Sequence, residues 1–590
     1  MGSRQEAAQE SHIQRQTLDD PELRAALKAF SEILSTSMGP HGRTKSIQNG
    51  IGGPITMTTS SSRLLSAMSF SRPCLRLIAS AVQGHLRNHH DRGLLAGSLC
   101  LRLVLNAVEV ESVGRKCVRE VYEVLLKLID EYLTSNDCAI SVNVDISNVK
   151  VMLAFVKSIL ASKPVCGLRL ASASYLAQLV LKAFLNSVPD VPSSFLTDRV
   201  FTLQFDKKDI TSSEVMEGLL LEWPEKSTAL GAQELPVIQE SSKDIRVALV
   251  TVSMSGDAEE FLTNQMEAQP QVVQSAADLV LKKMLAFCDW LCERRMGVLL
   301  CQKVIHPKVK SYLRQKGIVF MERLGIQPVA YIQDLTGSRP ISSVIVLPPE
   351  SALGRLNSVT HRVVHNKGFL HLQKSNSFVC TLLLCGAVNE QLAELKSVVQ
   401  SALKGLYSML QRPVALCGGG CWQIHLACYV RRVVREREDE LCSQLRVTRA
   451  QLAAATNAFA SSFETTALSL LSPSFRAWVD PQHCHMWHVP EGVVISAKTT
   501  AFSCACGMLT DADIDTSTLQ PLLGRENSVW RDGFLKRDDF VKAGCIGMKE
   551  SVNPDWLVLD TLECVVSAVR TAAMTATTVL SITQYIHDVN

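Results

Sequence analysis

The sequence has very little net charge. Its 60 lysines and arginines nearly balance 57 aspartates and glutamates, which leaves +3 over 590 residues. A protein that binds nucleic acid through its phosphates carries a basic face or stripe. Short basic groups such as Arg431-Arg432 are instead typical of solvated helix faces. The sequence therefore gives no reason to expect nucleic acid as a partner.

Long uninterrupted apolar runs are also missing. The best candidate, Leu94–Val108, is shorter than the roughly 20 residues that cross a bilayer, and it contains Arg102. Residues 1–20 are polar and lack the apolar segment of a secretory signal. We expect neither a membrane span nor secretion.

The chain lacks a CxxC pair, although it has 19 cysteines. Scattered cysteines without a secretory signal predict reduced thiols in the cytosol or nucleus. One group of residues offers enough ligands for zinc, but successive His-Cys-His side chains point in different directions on regular backbone. We therefore expect core or surface roles and no metal for this group, which consists of His483, Cys484, His485, His488, Cys504 and Cys506.

A glycine-containing loop is the most informative motif present. It follows a predicted helix that Asp20 caps and Pro21 begins, with an apolar stripe at Leu23, Leu27, Phe30, Ile33 and Leu34. The loop, Met38–Lys45, has two glycines around a proline and a lysine, which suit close approach to a phosphate. Alone, it fits an ordinary helix-ending turn better. Further motifs along the chain favour the phosphate-binding interpretation instead.

Those motifs occur in the order that one family shows. The chain from about residue 15 onward resembles the group II chaperonins, the family of the eukaryotic cytosolic chaperonin and the archaeal thermosome, whose landmarks are LGPxGxxK, ITVTNDGATIL, GDGTTS, VLxQK, HDAL and GGGAxE. After the first loop, the corresponding segments are Ile55–Thr58, Asp91–Gly97, Leu299–Lys303, Gln400–Leu403 and Gly418–Gln423. The resemblance implies an ATP site built from Gly39, Pro40, Gly42, Lys45, Arg92, Gly93, Gly418, Gly419 and Gly420.

The family's carboxylates are missing from this site. Ser60 stands at the aspartate of NDG and Arg92 at the metal-binding aspartate, although Asp91 survives one position earlier. Ser401 replaces the water-activating aspartate, and Gln423 replaces the glutamate after the glycines. Loss of one catalytic acid or base costs about 10²–10⁴-fold in rate. We therefore expect no catalytic residues, no bound metal and no useful ATP turnover.

Nucleotide binding itself stays open. Arg92 either contacts phosphate directly, as arginine does well, or faces solvent at an abandoned site. Charge alone does not choose between these two interpretations. ATP is the one cofactor that the resemblance implies, held weakly or not at all.

The fold class implied is a multi-domain α+β protein, with helical equatorial and intermediate domains and an inserted α/β apical domain that binds clients or partners. Its predicted segments are 1–148 (equatorial), 149–205 (intermediate), 206–376 (apical), 377–410 (intermediate) and 411–590 (equatorial). Residues 472–524 match no family landmark and are predicted to form an irregular insertion.

Local patterns support this division. Helical periodicity predicts helices over Val118–Leu133, Glu390–Leu410, Cys421–Glu436, Gln451–Leu471 and Thr561–Ile582. The middle of the chain has short β-rich runs at Ile245–Met254, Gly297–Cys301, Gly317–Met321, Val344–Leu347 and Phe378–Leu384, with a helix at Pro307–Gln315 that predicts a βαβ unit. A long amphipathic helix at 275–294 lies near the family's lid protrusion. The polar segment Gly256–Gln271 before it does not indicate a complete lid.

The departures resemble the McKusick–Kaufman type of chaperonin-like protein associated with Bardet–Biedl syndrome, as do Leu300–Pro307 (LCQKVIHP) and Leu383–Gly386 (LLCG). That resemblance implies a non-hydrolysing assembly factor for the ciliary-trafficking complex called the BBSome. It also implies partnership with other chaperonin-like proteins and the cytosolic chaperonin, and a place in the cytoplasm at centrosomes and basal bodies.

Two other functions remain open. The first is an ATP-hydrolysing group II chaperonin subunit that folds clients in a ring. The second is a scaffold that handles no clients.

Overall fold

A computed structural model describes residues 11–15, 17–48, 53, 55–189, 199–223, 244–256, 270–493, 503–510, 513–514, 516–522 and 557–588. The chain divides into two compact units. The larger unit comprises residues 1–181 and 388–590, and the smaller unit comprises residues 182–387. Helices and strands occur in both.

Fifteen α-helices lie in the described part of the chain. They are α1 (Pro21–Ser35), α2 (Ser61–Ala67), α3 (Pro73–His89), α4 (Gly93–Glu109), α5 (Arg115–Thr134), α6 (Val149–Ala161), α7 (Leu170–Ser187), α8 (Pro270–Glu293), α9 (Pro307–Gln315), α10 (Gln327–Thr336), α11 (Asn389–Gln411), α12 (Cys421–Glu436), α13 (Glu438–Leu445), α14 (Arg449–Leu468) and α15 (Leu562–Ser581).

Strands of the same described residues are short. They are β1 (Ser11–Arg15), β2 (Lys45–Gln48), β3 (Ile55–Thr58), β4 (Ser141–Asn143), β5 (Val200–Phe205), β6 (Glu214–Glu217), β7 (Leu219–Glu222), β8 (Ile245–Val250), β9 (Met296–Cys301), β10 (Val319–Met321), β11 (Gly354–Leu356), β12 (Ser358–Val364), β13 (Lys367–Gln373), β14 (Cys380–Cys385), β15 (Val414–Cys417), β16 (Phe475–Val479), β17 (Met486–Pro490), β18 (Ser503–Cys504), β19 (Gln520–Pro521), β20 (Leu559–Thr561) and β21 (Gln584–Asp588).

The larger unit has a helical core. The start of α1 follows the sequence prediction, because Asp20 Oδ1 accepts a hydrogen bond from Glu22 N–H at 2.9 Å and Pro21 takes the first helical position. The predicted helical face of α5 is buried at Val118, Val121 and Leu125. In the same unit, β15 lies between β20 and β4, and β1 pairs with β21.

Helix α15 packs against α3, α4 and α5. Its small and apolar residues allow close contact, as the sequence predicted. By length and composition alone, it is the one helix in the described residues that is long and apolar enough to cross a membrane. However, 67% of its most apolar window is buried within the protein, as in the core helix of a soluble protein.

The smaller unit contains the predicted βαβ motif. Strands β9 and β10 pair in parallel, with α9 between them in the chain. They belong to a four-stranded sheet of order β10-β9-β8-β11. Two three-stranded sheets, β12-β13-β7 and β5-β14-β6, complete the described strands of this unit.

For the middle of the chain, the structure confirms the predicted long helix and contradicts one predicted strand. Helix α8 contains the predicted amphipathic segment almost completely. The predicted strand Val344–Leu347 is wrong, because this segment forms bends in which Val346 is 70% exposed, just before Pro348 and Pro349. Most of the polar segment Gly256–Gln271 lies outside the described residues, so its relation to a lid stays a prediction. The five-segment domain division also stays a prediction, since two units are a coarser partition.

The prediction of an irregular insertion at 472–524 is wrong for its described residues. They form an antiparallel sheet of order β18-β17-β16-β19, which we call the insertion sheet. In β16 and β17, Trp478 pairs with Trp487, and Trp487 is completely buried. Histidines and serines make these strands look polar in sequence, but apolar residues are buried on both faces of the sheet: Val479 and Met486 on one face, and Trp487 and Val489 on the other.

Candidate nucleotide-binding site

The glycine loop after α1 folds back on the end of that helix. Gly39 has a φ of +71°, in the left-handed region that favours glycine. A Cβ at Gly42 would lie 2.5 Å from the carbonyl oxygen of Ser37. Arg43 N–H donates to the Thr36 carbonyl at 2.6 Å and closes the turn. Both glycines therefore have a backbone reason for their identity, independent of any ligand.

Lys45 begins β2 and directs its ammonium group towards the end of α1. Its Nζ donates to Thr36 Oγ1 at 2.9 Å and to the Arg43 carbonyl at 3.2 Å. Burial lowers the pKa of Lys45 and the Arg43 charge lowers it further, while Glu32 opposes the change. Two of the three N–H donors of this ammonium group therefore bond within the chain, which leaves one for the predicted contact with phosphate.

Arg92 occupies the turn just before α4. Its φ of +60° is unusual for a residue with a Cβ. The guanidinium forms an ion pair with Asp560, and its Nε lies 3.5 Å from Asp91 Oδ2. Trp422 Nε1–H donates to the other carboxylate oxygen of Asp560 at 2.8 Å. Both interpretations drawn from the sequence missed this pairing, in which two carboxylates of the chain neutralise the arginine.

Burial and pairing set the protonation states of this group. Burial raises the pKa of Asp560, while Arg92 and Trp422 oppose the rise. Burial also acts to raise the pKa of Asp91, but Arg92 and Lys163 outweigh it and the pKa is lowered. Although burial opposes it, the charges of Asp560 and Asp91 raise the pKa of Arg92. Arg92 therefore stays positively charged, and it lies at the N-terminus of α4.

The second glycine run, Gly418–Gly420, connects β15 to α12. Gly419 and Gly420 have φ values of +66° and +101°. A Cβ at Gly419 would collide with the carbonyl oxygen of Ala505, and one at Gly420 would lie 2.5 Å from Met486 Cε. Met486 of the insertion sheet and Ala505 of the turn after β18 therefore pack directly on the second glycine run, which the resemblance predicts to hold nucleotide.

A cavity of about 400 Å³ lies among these elements of the larger unit. Four predicted site residues line it: Gly39, Pro40, Arg92 and Gly419. The other five lie outside the lining: Gly42, Lys45, Gly93, Gly418 and Gly420. The structure therefore brings both predicted loops to one cavity, but it presents only part of each.

Sequence reasoning missed several charged residues of this cavity. Lys157, Lys163 and Asp560 line it together with Asp91 and Arg92. The only local sequence signal for Asp560 is its place at the end of the apolar run before α15. Three cations and two carboxylates make the lining weakly cationic, which suits a phosphate better than a metal ion.

At the four positions where the family's carboxylates are missing, the residues present either make contacts within the fold or have no hydrogen-bond partner for a polar atom. Ser60 N–H donates to Thr58 Oγ1 at 2.9 Å, and Ser401 Oγ–H donates to the His90 carbonyl at 2.7 Å. Gln423 is buried, and its Oε1 has no hydrogen-bond partner among the described residues. With Arg92 held by Asp560, none of the four presents a carboxylate to the cavity.

A nearby carboxylate, Glu394 of α11, is committed to the fold. It accepts hydrogen bonds from Thr58 Oγ1, from the N–H and hydroxyl of Thr59, and from Arg63, all between 2.7 and 2.9 Å. Burial disfavours its charge, but these donors outweigh burial and lower the pKa of Glu394. Glu394 therefore joins α11 to the turn between β3 and α2.

The magnesium ion that accompanies ATP in the family does not fit the residues present. Asp91 and Asp560 are the two carboxylates of the lining, and Arg92 contacts both. A hard dication needs free carboxylate oxygens, and a guanidinium at the same place repels it. No catalytic step through magnesium follows from this arrangement.

Comparison with protein families identifies the family of the chain. The model of the TCP-1/cpn60 chaperonin family matches residues 30–474. The chain belongs to this family. That the two glycine loops of this chain form a nucleotide site stays a prediction from the sequence.

Individual relatives agree with that assignment. The chain is similar to human "Molecular chaperone MKKS", with 29% identity over 593 residues and complete coverage of both chains. The mouse protein of the same name is also 29% identical over both full lengths. Thermosome subunit alpha of Saccharolobus solfataricus is a more distant relative, 23% identical over 70% of this chain and 73% of its own.

Proposed function

We propose that this chaperonin-family chain is an assembly factor that holds partner subunits while a larger complex forms, without productive ATP hydrolysis. The observation that carries the proposal is the pairing of Arg92 with Asp560 and Asp91 in the cavity where the family binds nucleotide. The resemblance of the sequence to the McKusick–Kaufman type points to the BBSome as the complex. The partners would then include chaperonin-like proteins and the cytosolic chaperonin, at centrosomes and basal bodies.

Loss of turnover follows from three local features. Arg92 blocks the metal position, and the positions of the activating carboxylates hold Ser401 and Gln423. Ala505 packs on Gly419, so the second glycine turn cannot approach a phosphate closely. In phosphoryl transfer, the protein contributes mainly positioning and charge stabilisation, so loss of metal and positioning removes most of the catalysis. ATP, if held, would serve as a bound ligand.

Partner binding is assigned to the smaller unit, which contains the predicted apical segment 206–376. A groove of about 860 Å³ opens on this unit. Its apolar lining includes Phe201, Leu203, Trp223, Leu324 and Ile326. Ile326 is 81% exposed, which is high for a large apolar side chain. An apolar groove that also has charged residues in its lining suits an apolar segment of a partner protein.

The experiment compares two aspartate substitutions in the full chain. Ile326→Asp changes the groove, while Val363→Asp changes an exposed apolar residue of β12 that is not in the groove lining. Binding to purified BBSome subunits is measured by titration, after circular dichroism shows that both variants fold. We expect Ile326→Asp to weaken binding at least about tenfold and Val363→Asp to leave it within about twofold. Equal affinities of both variants and the unmodified chain would contradict the assignment to this groove.

The alternative is an ATP-hydrolysing ring subunit. The observation that favours it is the presence of two carboxylates, those of Asp91 and Asp560, in the cavity lining. For that function Arg92 would have to leave both of them. Magnesium-dependent turnover by the purified chain would favour this alternative over the proposal.

A further inference from the structure

Four ligand atoms of the metal-binding type meet inside the larger unit, away from the charged wall of the nucleotide cavity. They belong to Cys421, His485, Cys504 and Cys506, and all four lie within 4.8 Å of one another. We call this group the thiol cluster. Each of its residues is almost completely buried, with at most 4% exposure.

We propose that the thiol cluster is a structural zinc site with three cysteine ligands and one histidine ligand. This proposal replaces the sequence expectation of no metal, and it does not depend on the proposed function. Zinc prefers four ligands in a tetrahedron, and three thiolates with one imidazole form one of its usual structural sets.

The distances fit a tetrahedral ion. With Zn–S near 2.3 Å and Zn–N of about 2.0–2.1 Å, tetrahedral angles give about 3.8 Å between sulfurs and about 3.5 Å between sulfur and nitrogen. His485 Nδ1 lies 3.4 Å from Cys504 Sγ and 3.5 Å from Cys506 Sγ. Cys421 Sγ lies 3.9 Å from Cys504 Sγ, and the Cys504–Cys506 sulfur separation is 3.2 Å. Small rotations of the cysteine side chains would make these two sulfur–sulfur distances equal.

The ligands come from separate elements that the fold brings together. Cys421 is the first residue of α12, His485 immediately precedes β17, and Cys504 and Cys506 lie in β18 and the turn after it. The sequence analysis missed Cys421, because it lies 64 residues before His485 in the chain. It also grouped His483 and Cys484 with His485, but His483 Nδ1 bonds Asp480 at 3.1 Å instead.

Burial alone disfavours thiolates, but two features of the surroundings would favour them once a metal binds. Cys421 lies at the N-terminus of a 16-residue helix, where the helix dipole favours negative charge. Met508 N–H donates to Cys506 Sγ at 3.5 Å. The Nε2 atom of His485 is buried without a hydrogen-bond partner among the described residues, while Nδ1 faces the sulfurs. The neutral tautomer with its proton on Nε2 would present the Nδ1 lone pair to the metal.

The charge balance of binding is simple. Three thiols lose three protons to solvent and His485 binds as a neutral ligand, so the bound site carries one net negative charge. No oxidant or reductant takes part. Ala505, which packs on Gly419, lies between two of the ligands. Zinc would therefore fasten the insertion sheet to the second glycine turn.

The first test is the metal content of the full chain, purified under reducing conditions without metal-affinity steps. Plasma mass spectrometry should find about one zinc per chain, and zinc X-ray absorption should show three sulfur ligands and one nitrogen ligand. This measurement needs no variant, so a folding defect cannot obscure it. Absence of zinc from chain purified and dialysed with zinc present would overturn the proposal.

Variants then locate the ion. Cys504→Ser/Cys506→Ser should lower the zinc content at least about tenfold. The control, Cys484→Ala, removes a buried thiol of the same region that lies outside the cluster, and it should keep the zinc. Equal zinc in the double variant and the unmodified chain would refute this site. A non-reducing mass two hydrogens below the reduced mass, with no zinc, would show a Cys504–Cys506 disulfide instead.

Discussion

At the scale of single residues, the central interaction is the Arg92–Asp560 pair. Asp560 is almost fully buried, while the Arg92 side chain is 26% exposed. Removing one partner of a buried ion pair leaves an uncompensated charge. We expect Arg92→Ala to lower the free energy of unfolding by about 2–3 kcal/mol, since partial exposure of the arginine reduces the full buried cost.

Arg570 supplies the matched control for that measurement. Its Nε lies 2.8 Å from Asp130, but its side chain is 48% exposed. Arg570→Ala should therefore cost less than about 1 kcal/mol in the same urea titration. Equal costs for the two variants would show that the Arg92 pair contributes no more than a surface salt bridge.

Two buried histidines predict a pH dependence. Burial lowers the pKa of both His85 and His425 to about 4, from the usual 6.5. Both are neutral when folded and take up protons in the unfolded chain below about pH 6.5. Stability is therefore expected to fall as the pH falls from 6.5 towards 4, with each histidine contributing up to about 1.4 kcal/mol per pH unit.

The measurement is the free energy of unfolding between pH 7.5 and pH 5, for the chain and for His425→Gln. His425 accepts from Tyr132 at Nε2 and donates from Nδ1 to the His483 carbonyl, so glutamine tests titration within a similar polar contact. The variant should show a shallower loss of stability on acidification. An unchanged slope would mean that His425 titrates equally in the folded and unfolded chain.

Part of the site could be predicted at this scale. The sequence placed Arg92 and Gly39 at the cavity, because each lies inside a recognisable motif. Asp560 could not be found in that way, since it lies 468 residues from Arg92 in the chain and no local pattern connects them. The orientation of Lys45 was also beyond the sequence, because Thr36 and a phosphate are equally plausible partners for an ammonium group.

At the scale of elements, the insertion sheet covers the second glycine turn. Gly419→Ala would introduce both a strained left-handed φ and a collision with the Ala505 carbonyl. Gly492→Ala is the matched control, because Gly492 has a φ of +83° but no neighbour within 4 Å of a Cβ. We expect the control to cost about 1 kcal/mol and Gly419→Ala to cost at least about 1 kcal/mol more by thermal or urea unfolding.

The comparison of those two glycines has a clear negative outcome. Equal destabilisation would mean that the turn after β18 moves away from Gly419 without cost. In that case the second glycine turn would be open to a phosphate. The packing of Ala505 on Gly419 would then no longer support the proposed loss of ATP turnover.

Helices were easier to predict than the insertion sheet. The segment Cys421–Glu436 was predicted with the bounds of α12, because its apolar residues recur at helical spacing. The strands of the insertion sheet are only two to five residues long, and burial does not alternate regularly in β17, where Met486 and Trp487 are both buried. Short segments without clear alternation resemble loops in a sequence.

At the scale of the whole molecule, the chain belongs to the chaperonin family, and an internal ion pair occupies the cavity where we predicted nucleotide. The family could be recognised from ordered motifs, because backbone turns constrain glycines whether or not a ligand binds. The replaced carboxylates are what lead us to propose that ATP turnover is lost. The way in which the chain fills the site was not visible in the sequence, since it depends on contacts between segments far apart in sequence.

The pairing of both cavity carboxylates with Arg92 also predicts how ATP affects the stability of the folded chain. A ligand that binds the folded chain raises its stability by RT ln(1 + [L]/Kd), so magnesium-ATP at 100 times its Kd would add about 2.7 kcal/mol. We expect millimolar magnesium-ATP to raise the melting temperature by less than about 1 °C, because the two cavity carboxylates are paired with Arg92. A rise of several degrees that disappears in Gly39→Val would show a functional nucleotide site.

The most direct measurement is steady-state release of phosphate from ATP by the purified chain with magnesium, beside Asp91→Asn. Asp91 is the carboxylate that survives next to the family's metal position, and its side chain lines the cavity. The account predicts no phosphate release above background from either protein. Magnesium-dependent turnover that disappears in Asp91→Asn would contradict it and restore an active chaperonin ATPase.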